Sequence, residues 1–445
     1  MKRFYQMGSR DKHLRDRLIV FGRYPVPGKT KTRLIPVLGP SGAADLQRQI
    51  TEKTFKTAQA FASKYRTELY VCYDGGSEKQ MQRWLGSHAL LRMQRSGSLG
   101  GRMEAAFCEA FHDGCGRVVL IGTDVPQVKA LHLEEAFDAL KENDLVFGPS
   151  TDGGYWLVGL KEPMPIFHNI PWGTTGVLAQ TFSSSRDRGL LTYCLDPLAD
   201  IDTGEDLEHA LPGWARPYLS IVIPALNEAD TIEAAIRHAR CDDAEIIVVD
   251  GGSTDETAMR ATQAGARVLT SARGRALQQN RGAAVAEGRV LLFLHADTRL
   301  PEKYVFQVFE TLMDPGVVLG AFRFKTDPDS PSMRFIEAAT NFRSRFLRLP
   351  YGDQALFIRK GLFQECGGFP QVPIAEDLLF VRHVSKHGRV LTSSAEAVTS
   401  ARRWRSGGTL RTLLINQIVL FGLALGIAPE VLASLYRRSA NGTKS

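Results

Sequence analysis

The sequence predicts an α/β protein built from two domains of the same kind in tandem. Each half contains an apolar, strand-like run that ends in an aspartate, at 118–124 (VVLIGTD) and at 290–297 (VLLFLHAD). In both halves such runs alternate with stretches of helical period, as in βαβ units. Ligands of open α/β sheets bind at the carboxyl ends of parallel strands, where an aspartate can hold a divalent cation against a diphosphate. The pattern therefore indicates nucleotide-diphosphate chemistry in each half.

Length and composition agree with two domains. The chain has 445 residues, of which 44% are hydrophobic and 23% charged, so it is too long for one core and too apolar to be disordered. The net charge of +7 comes from dispersed basic residues without a stripe of interleaved aromatics, which argues against a nucleic-acid partner. Anionic diphosphate ligands or a membrane surface account for the excess of positive charge.

The six cysteines are scattered and form neither a C-x-x-C pair nor a cluster with histidine at zinc spacing. We expect buried thiols in a reducing compartment, which predicts a cytoplasmic protein. The cysteines are Cys72, Cys108, Cys115, Cys194, Cys241 and Cys366.

A change in composition divides the chain near residue 211. Residues 211–217 (LPGWARP) contain two prolines and a glycine, and a new strand pattern starts at once. We therefore expect a disordered basic extension at 1–16, a first domain at 17–210, a linker at 211–217 and a second domain at 218–445. The extension lacks the apolar core of a secretory signal.

Hydrophobic periodicity assigns the elements of both domains. In the first domain we expect strands at 17–21, 68–73, 117–121, 144–147 and 155–158, with helices at 43–62, 102–111 and 131–140. In the second domain we expect strands at 219–224, 245–249 and 290–294, with helices at 231–239 and 255–263. This alternation predicts an α/β sandwich in each domain.

An apolar segment at 412–428 is too short for a typical membrane span of about 20 residues, and it contains Asn416 and Gln417. We expect a core or interfacial helix here before a spanning one. Six flanking arginines suit a helix lying on an anionic bilayer surface, so peripheral contact with the inner face of the membrane competes with a helix that covers its own domain. These arginines are Arg402, Arg403, Arg405, Arg411, Arg437 and Arg438.

Two strand ends in the second domain carry polar residues suited to a nucleoside. The runs 221–228 (IVIPALNE) and 246–255 (IIVVDGGSTD) are apolar strands that lead into polar loops at one sheet edge. Carboxylate groups there can bind a base and ribose hydroxyls, although Ser253 and Thr254 alone are typical of helix caps. The residues expected at this nucleotide site are Pro224, Ala225, Asn227, Glu228, Asp250 and Asp255.

Further motifs follow along the second domain, namely His295 with Asp297, 352–354 (GDQ), 367–370 (GGFP) and Glu376 with Asp377. Together with the strand ends, they resemble the family 2 glycosyltransferases from residue 219 to roughly residue 436. Within that family they are most similar to the radical-SAM/selenodomain-associated or arsenosugar-biosynthesis transferases. The resemblance implies a GT-A fold, which is Rossmann-like and typical of nucleotide-diphospho-sugar transferases, and sugar transfer with inversion at the anomeric carbon.

The resemblance also implies roles for single residues. Asp250 would face the nucleoside, and Asp297 would bind Mg²⁺ or Mn²⁺ on the diphosphate. Asp377, beside Glu376, would be the general base that takes the proton of the acceptor hydroxyl. His295 stands where an acidic residue is usual; imidazole can bind a metal, but a histidine at a strand end is more often structural.

Arg403 belongs to the run Arg402-Arg403-Trp404, where such enzymes often carry a basic and aromatic motif near the donor diphosphate. The run lacks the glutamine of the processive Q-x-x-R-W signature. Its absence predicts the transfer of a single sugar instead of polymerisation.

A basic, glycine-containing loop follows the first strand at 22–30 (GRYPVPGKT). It is not a Walker A loop, because five residues separate its glycines and two prolines remove amide donors. In a GT-A nucleotidyltransferase, the segment from Gly28 to Arg33 would instead bring Lys29, Lys31 and Arg33 to a diphosphate or triphosphate, whose charge they would offset.

The first domain carries a second set of motifs at 97–103 (GSLGGRM), 122–126 (GTDVP), 152–156 (DGGYW), 171–172 (PW) and 200–203 (DIDT). This set resembles the first of the paired radical-SAM/selenodomain-associated transferases, related in fold to the guanylyltransferases of cofactor biosynthesis, over 17 to about 210. Asp124 is the metal candidate, and Asp152 or Asp202 a second one. For Asp202, a turn or helix cap is the favoured interpretation.

These observations predict a bifunctional, metal-dependent cytoplasmic enzyme that uses Mg²⁺ or Mn²⁺. The second half would transfer a sugar from a nucleotide-sugar donor to a small-molecule or lipid acceptor. The first half would be a nucleotidyltransferase-like or second glycosyl-transfer unit. The alternatives are a membrane-associated lipid or carotenoid glycosyltransferase and a non-catalytic nucleotide-sugar binding module. Asp297 and Asp377 together argue against the module, because binding alone needs no general base.

Overall fold

The computed structural model describes residues 15–212, 214, 217–327, 330–400, 418–419, 422, 425 and 427–433. The chain separates into two compact units that divide after Trp214, and residues 35–42 group with the second unit. Arg403 and most of the apolar segment 412–428 lie outside the described residues. Within the described part of the chain, no helix is both long and apolar enough to cross a membrane.

The first strand, β1 (Arg15–Arg23), starts two residues earlier than the predicted first domain. Arg15 pairs with Glu68 at 2.6 Å, and Asp16 pairs with Arg117 at 2.6 Å. These charged partners on the two neighbouring strands extend the sheet to residue 15. The prediction that residues 1–16 form a disordered extension is therefore wrong for Arg15 and Asp16, while residues 1–14 lie outside the described residues.

The first unit contains seven strands and six α-helices among its described residues. After β1 the strands are β2 (Glu68–Asp74), β3 (Leu90–Met93), β4 (Cys115–Ile121), β5 (Leu145–Pro149), β6 (Tyr155–Leu160) and β7 (Thr192–Cys194). The helices are α1 (Ile35–Tyr65), α2 (Glu78–Leu85), α3 (Leu99–His112), α4 (Ala130–Ala139), α5 (Val177–Arg186) and α6 (Gly204–Ala210).

β1 lies at the centre of the first sheet, between β2 and β4, and all three strands are parallel. The strand order is β3-β2-β1-β4-β6-β5-β7, in which β6 runs antiparallel to both of its neighbours. Residues 17–22 are buried without interruption, so both faces of β1 are covered. This explains why the strand has an unbroken apolar run instead of an alternating pattern.

The second unit contains eight strands and seven α-helices among its described residues between 218 and 400. The strands are β8 (Leu219–Ala225), β9 (Ala244–Asp250), β10 (Arg267–Thr270), β11 (Val290–Phe293), β12 (Thr298–Arg299), β13 (Val317–Asp327), β14 (Leu356–Arg359) and β15 (Arg389–Ser400). The helices are α7 (Ile232–Ala239), α8 (Thr257–Gln263), α9 (Arg275–Val285), α10 (Tyr304–Met313), α11 (Pro331–Phe346), α12 (Lys360–Glu365) and α13 (Glu376–Val384).

The second sheet repeats the topology of the first. Its order is β10-β9-β8-β11-β14-β13-β15-β12, and β14 runs antiparallel to β11 and β13. Without the short strand β12, the two sheets correspond strand for strand in order and direction. The predicted fold class, two tandem α/β domains of the Rossmann-like GT-A type, is confirmed. Asp124 follows β4 and Asp297 follows β11, so the two aspartates extend from equivalent strands.

Most of the predicted elements are present with shifted ends. The helix predicted at 43–62 is part of α1, which begins at Ile35 and is kinked at Gly39, where φ is 71°. The strands predicted at 144–147 and 155–158 are β5 and β6. Strands such as β3, which has four residues of which three are exposed, were not predicted, because so short a segment shows no clear period.

Packing between β13 and β14 leads to a stability prediction. Gly320 pairs with Phe357, and a Cβ at position 320 would overlap the Phe357 ring. We expect Gly320→Ala to lower the free energy of unfolding by about 1–3 kcal/mol, because a close-packed core does not absorb an added methyl group. Urea unfolding followed by circular dichroism measures the effect. Gly361→Ala is the matched control, since a Cβ there meets no atom within 4 Å; equal midpoints for the two variants would contradict the prediction.

Candidate functional site

A cavity of about 430 Å³ lies at the carboxyl ends of β1 and β4 in the first unit, and we call it the first-unit cavity. Its volume is in the range of small-ligand sites. Five basic side chains and three carboxylates line it, so its wall carries an excess of two positive charges. The charged lining residues are Arg23, Lys29, Lys31, Arg33, Arg102, Asp74, Asp124 and Asp202.

Lys31 lies in the interior of this cavity, with a side chain that is only 5% exposed. Its Nζ lies 2.8 Å from Oδ1 of Asp124 and 3.4 Å from Oδ1 of Asp202, and it donates to the carbonyl oxygen of Ile201 at 2.6 Å. Burial alone would lower the pKa of the Lys31 ammonium, but the two carboxylates outweigh burial and raise that pKa above its ordinary value. The predicted phosphate-binding lysine is therefore held by carboxylates in this structure.

Asp202 does not cap the helix that follows it. Thr203 is the N-cap of α6, and the carboxylate of Asp206 accepts hydrogen bonds from the backbone N–H of Thr203 at 2.7 Å and of Asp202 at 3.2 Å. The carboxylate of Asp202 instead lies 3.4 Å from Nζ of Lys31 and 3.7 Å from a guanidinium nitrogen of Arg33. The helix-cap interpretation of Asp202 is wrong, because Thr203 is the N-cap and Asp206 completes the capping box.

The remaining predicted residues of this loop have different positions. Gly28 has a φ of 78°, a conformation that favours glycine, and it is not among the residues that line the cavity. Lys29 lines the cavity and is exposed, and among the described residues it makes no ion pair. Asp152 accepts a hydrogen bond from the backbone N–H of Gly154 at 2.8 Å and does not line the cavity.

Sequence reasoning missed several cavity residues that lie on neighbouring elements. Arg102 on α3 donates to Oε1 of Gln94 at 2.8 Å, and the amide nitrogen of Gln94 donates to the carbonyl oxygen of Cys72 at 2.8 Å. Arg23 pairs with Asp74 at 2.6 Å across β1 and β2. Arg102 and Arg23 had a sequence signal, because they lie in the motif 97–103 and in the loop 22–30, whereas Gln94 and Asp74 had none.

In the second unit, hydrogen bonds join the loops after β8 and β9. The backbone N–H of Asn227 donates to Oγ of Ser253 at 2.9 Å, and Oδ1 of Asn227 accepts from the backbone N–H of Thr254 at 2.9 Å. Asp250 is 5% exposed, and its Oδ2 accepts from the backbone N–H groups of Gly252 and Ser253, each at 3.1 Å. The predicted nucleotide-site residues Asn227 and Asp250 therefore organise this pair of loops.

Asp255 and Glu228 strengthen the same connection. Oδ2 of Asp255 accepts from the backbone N–H of Ala229 at 3.2 Å, and the backbone N–H of Glu228 donates to the hydroxyl of Thr257 at 2.8 Å. The hydrogen bond from the Thr257 hydroxyl lowers the pKa of Asp255 below its ordinary value.

Gln278 on α9 lies beneath these loops and had no sequence signal. Its buried amide nitrogen donates to the carbonyl oxygens of Ala225 and Val249, both at 2.8 Å. It thereby fixes the end of β8, which contains Pro224 and Ala225, to β9.

His295 and Asp377 meet at Gly352 near the end of β11. The backbone N–H of Gly352 donates to Oδ2 of Asp377 at 2.7 Å. A Cβ at position 352 would lie 3.0 Å from Nε2 of His295 and 3.3 Å from Oδ2 of Asp377, so the glycine leaves a small space that borders both groups. The structure thus brings together three predicted elements that are far apart in sequence.

Glu376 and Asp377 begin α13 but have different surroundings. The Glu376 side chain is 7% exposed and lies 3.2 Å from a guanidinium nitrogen of Arg275. Burial and the adjacent Asp377 carboxylate raise the pKa of Glu376, although Arg275 opposes them. Asp377 is half-buried, and its Oδ1 accepts from the backbone N–H of Leu378 at 2.8 Å.

The side chains of the second unit that could act as metal ligands bear on the predicted Mg²⁺ or Mn²⁺ site. Among the described residues, no three His, Cys, Asp or Glu side chains are grouped as they would be to hold a metal ion. Mg²⁺ often uses only one or two carboxylates and takes its other oxygens from phosphate and water. The imidazole of His295 borders the space beside Gly352, and Asp297 follows two residues later in the sequence; ligands of these two types would suit an ion bound mainly through a ligand's phosphates.

Comparison with known protein families adds independent information. Residues 220–369 match the family described as glycosyl transferase family 2. Residues 57–174 match the family described as "uncharacterized protein conserved in bacteria (DUF2064)". The first match supports the resemblance of the second half to family 2 glycosyltransferases. Neither match identifies the radical-SAM/selenodomain-associated or arsenosugar subgroup.

Individual proteins are similar to parts of the chain. A "PGL/p-HBAD biosynthesis glycosyltransferase" of Mycobacterium bovis is 34% identical over 174 residues, which covers 35% of this chain and 64% of the relative. This chain thus covers less than two thirds of that relative's length.

Two solved structures are also similar to part of the chain. A Desulfovibrio desulfuricans protein described as a candidate nucleotide-diphospho-sugar transferase shares 33% identity with a TM-score of 0.42, covering 44% of this chain and 85% of that one. A Pyrobaculum calidifontis mannosyltransferase crystallised with GDP-Man and Mn²⁺ shares 18% identity with a TM-score of 0.34, covering 44% and 63%.

Asp200, near the first-unit cavity, gives a prediction for the dependence of stability on pH. Burial, reinforced by the Asp152 carboxylate, raises the pKa of Asp200 from 3.8 to about 6. Folding therefore favours the protonated carboxyl, and its contribution to stability is complete below pH 3.8 and is lost as the pH rises through about 6. We expect the wild type to lose stability relative to Asp200→Asn between about pH 4 and pH 7.

Thermal unfolding of both proteins across this pH window measures the difference. Asp187→Asn removes one exposed carboxylate from the same unit and is the control for net charge. A constant difference between the melting temperatures of wild type and Asp200→Asn across the window would contradict the prediction.

Proposed function

We propose that the second unit transfers a sugar from a nucleotide-diphosphate donor to an acceptor hydroxyl, with inversion at the anomeric carbon. The observation that carries the proposal is the meeting of His295, Gly352 and Asp377 at the carboxyl end of β11. The match of residues 220–369 to glycosyl transferase family 2 supports it, as does the curated relative named a glycosyltransferase.

Asp377 is the general base in this proposal. Inversion requires the acceptor oxygen to attack the anomeric carbon from the face opposite the departing diphosphate. A new carbon–oxygen bond forms, the bond to the diphosphate breaks, and Asp377 takes the proton of the acceptor hydroxyl. The backbone N–H groups of Gly352 and Leu378, at 2.7 and 2.8 Å, orient the carboxylate for this task.

Glu376, the other predicted catalytic residue, is assigned a positioning role. Its side chain is buried and paired with Arg275, so it is less accessible to an acceptor than Asp377. The pair fixes the start of α13 and therefore the direction of the Asp377 carboxylate. In this proposal, Asp377 is the proton acceptor, and Glu376 does not take part in proton transfer.

Asp297 and His295 are the residues that would hold Mg²⁺ or Mn²⁺. When bound, the ion would neutralise the charge of the donor's diphosphate. The loops that Asn227, Asp250 and Asp255 organise would bind the nucleoside, with Pro224, Ala225 and Glu228 beside them. Arg403, which lies outside the described residues, would contact the diphosphate.

The first unit is proposed as a second nucleotide-binding unit, either nucleotidyltransferase-like or glycosyl-transferring, which makes the enzyme bifunctional. The repeated strand order and the basic first-unit cavity favour this assignment. The selenodomain-associated and arsenosugar subgroups remain part of the proposal on the strength of the sequence motifs alone.

The proposed location is the cytoplasm, and all six cysteines are free thiols, as a reducing compartment requires. A lipid acceptor would bring the basic segment 402–438 to the inner face of the membrane.

Asp377→Asn tests the proposed base. We expect turnover to fall by about 10²- to 10⁴-fold, because the amide cannot accept the acceptor proton. Donor affinity should stay unchanged, because the base contacts the acceptor. UDP-, GDP- and dTDP-sugars with Mg²⁺ or Mn²⁺ are assayed for transfer and hydrolysis, and donor binding is measured by calorimetry. Asp242→Asn, an exposed charge-matched control at the amino end of β9, should retain full turnover.

Full turnover by Asp377→Asn would refute the assignment of the base. If no sugar nucleotide in the panel were bound or consumed by the wild type, transfer from a nucleotide donor would be ruled out and a different ligand would have to occupy the site.

A further inference from the structure

The ammonium group of Lys31 occupies the position at which a metal would be expected in the first unit. Three oxygen atoms surround its Nζ, one each from Asp124, Asp202 and the Ile201 carbonyl, at 2.8, 3.4 and 2.6 Å. Asp124 follows β4, which is the equivalent of the strand that leads to Asp297 in the second unit. The Lys31 ammonium therefore forms an ion pair with Asp124, the residue predicted to bind a metal.

The loop that carries Lys31 is built to keep the ammonium there. The hydroxyl of Thr30, which is 2% exposed, accepts from the backbone N–H of Val26 at 2.9 Å, and the backbone N–H of Leu34 donates to the Lys31 carbonyl at 2.9 Å. Lys31 itself has a φ of 45°, a left-handed conformation that non-glycine residues adopt only when their surroundings impose it. The backbone conformation of the loop thus fixes the position of the Lys31 side chain.

This arrangement does not fit a divalent ion at Asp124. An ion bound to that carboxylate would lie next to a buried ammonium and would be repelled by it. Lys31 already satisfies the two carboxylates, and Arg33 lies 3.7 Å from Asp202. A metal held between the two carboxylates, which are themselves partly exposed, would have to displace the Lys31 ammonium, whose side chain is 5% exposed.

The corresponding loop of the second unit is different. Residues 226–231 (LNEADT), which follow β8, contain no lysine or arginine, whereas residues 29–33 (KTKTR), which follow β1, contain three. The two units therefore share a strand order but differ in charge. The loop after β1 places basic residues near the end of β4, whereas the loop after β8 has no basic residue to place near the end of β11.

We propose that the Lys31 ammonium is the resident cation of the first-unit cavity, held between Asp124 and Asp202 in place of a divalent ion, and that this unit binds a phosphate-bearing ligand without a metal. The excess of two positive charges on the cavity wall attracts such an anion. Lys29, exposed at the cavity, is available to contact it. This inference is independent of sugar transfer by the second unit.

Binding of Mn²⁺ alone to the full chain tests the proposal. The parent protein is the Asp297→Asn variant, and bound Mn²⁺ is counted by electron paramagnetic resonance. We expect Lys31→Met to gain one Mn²⁺ per chain, with an affinity at least tenfold above that of the parent, because the substitution removes the ammonium that lies between Asp124 and Asp202 and leaves Arg33, 3.7 Å from Asp202, as the neighbouring cation. Adding Asp124→Asn to Lys31→Met should abolish the gain.

Two matched variants control for the loss of positive charge. Lys29→Met removes a neighbouring lysine that has no carboxylate partner among the described residues, and Lys31→Arg keeps a cation at the site; neither should gain Mn²⁺. Circular dichroism verifies that each variant is folded, and the folded Lys31→Ala variant replaces Lys31→Met if the latter fails to fold. The absence of a gain in the folded lysine variant would overturn the proposal, as would Mn²⁺ binding by the parent that Asp124→Asn removes.

Any Mn²⁺ that still binds to the second unit of the Asp297→Asn parent is present in all variants to the same extent. A wrong assignment of Asp297 would therefore leave the comparison at Lys31 intact, and the two proposals can fail separately.

A second measurement addresses the ligand. Inorganic pyrophosphate is titrated into the parent protein in the presence of EDTA, and we expect binding that Lys29→Met weakens by about tenfold, as the loss of one charge-assisted hydrogen bond would. No binding of pyrophosphate in EDTA would overturn the metal-independent part of the proposal.

Discussion

Both units depend on buried strands at the centre of their sheets, where a polar side chain is tolerated only if it has a partner. In β1 every residue from 17 to 22 is buried, and β11 is buried along its whole length. A charged group inside such a strand would lose its hydration without a partner; Arg17 in β1 has Glu68 and Asp113 as partners, and the other charged residues of the two sites lie mainly at the strand ends and in the loops that follow them. Because the first and fourth strands of each sheet are adjacent and parallel, their loops meet at one edge. The chemistry of each unit is therefore concentrated where these two strands end.

This constraint explains how much could be predicted from the sequence. The two apolar runs that end in Asp124 and Asp297 identify the fourth strands, and local periodicity identifies the helices around them. The partner of Lys31 could not be predicted in the same way, because Asp202 is 171 residues away and its neighbouring sequence resembles a helix cap. Gln278 was missed because a single buried glutamine in a helix gives no periodic signal. Such contacts depend on tertiary structure alone.

The two units show that one strand order can carry two kinds of electrostatic site. In the first unit, a lysine from the loop after β1 reaches the carboxylate that follows β4. In the second unit, a histidine precedes the corresponding aspartate, and its imidazole borders the carboxylate of Asp377 across Gly352. The strand order thus determines which loops lie side by side. A few residues in those loops determine whether the charged groups pair with each other, as Lys31 and Asp124 do, or stay available to a ligand.

The pair Glu376 and Asp377 shows how a helix terminus can separate two adjacent carboxylates by function. Ala375, the residue before them, has a φ of 60°, so the chain enters α13 through a left-handed turn that costs energy for a residue with a Cβ. This turn directs one carboxylate toward the interior, where burial raises the pKa of Glu376 and Arg275 compensates its charge. The other carboxylate faces Gly352 and accepts hydrogen bonds from the backbone N–H groups of Gly352 and Leu378. The strained residue thereby gives one carboxylate a structural partner and leaves the next oriented toward the histidine at the end of β11.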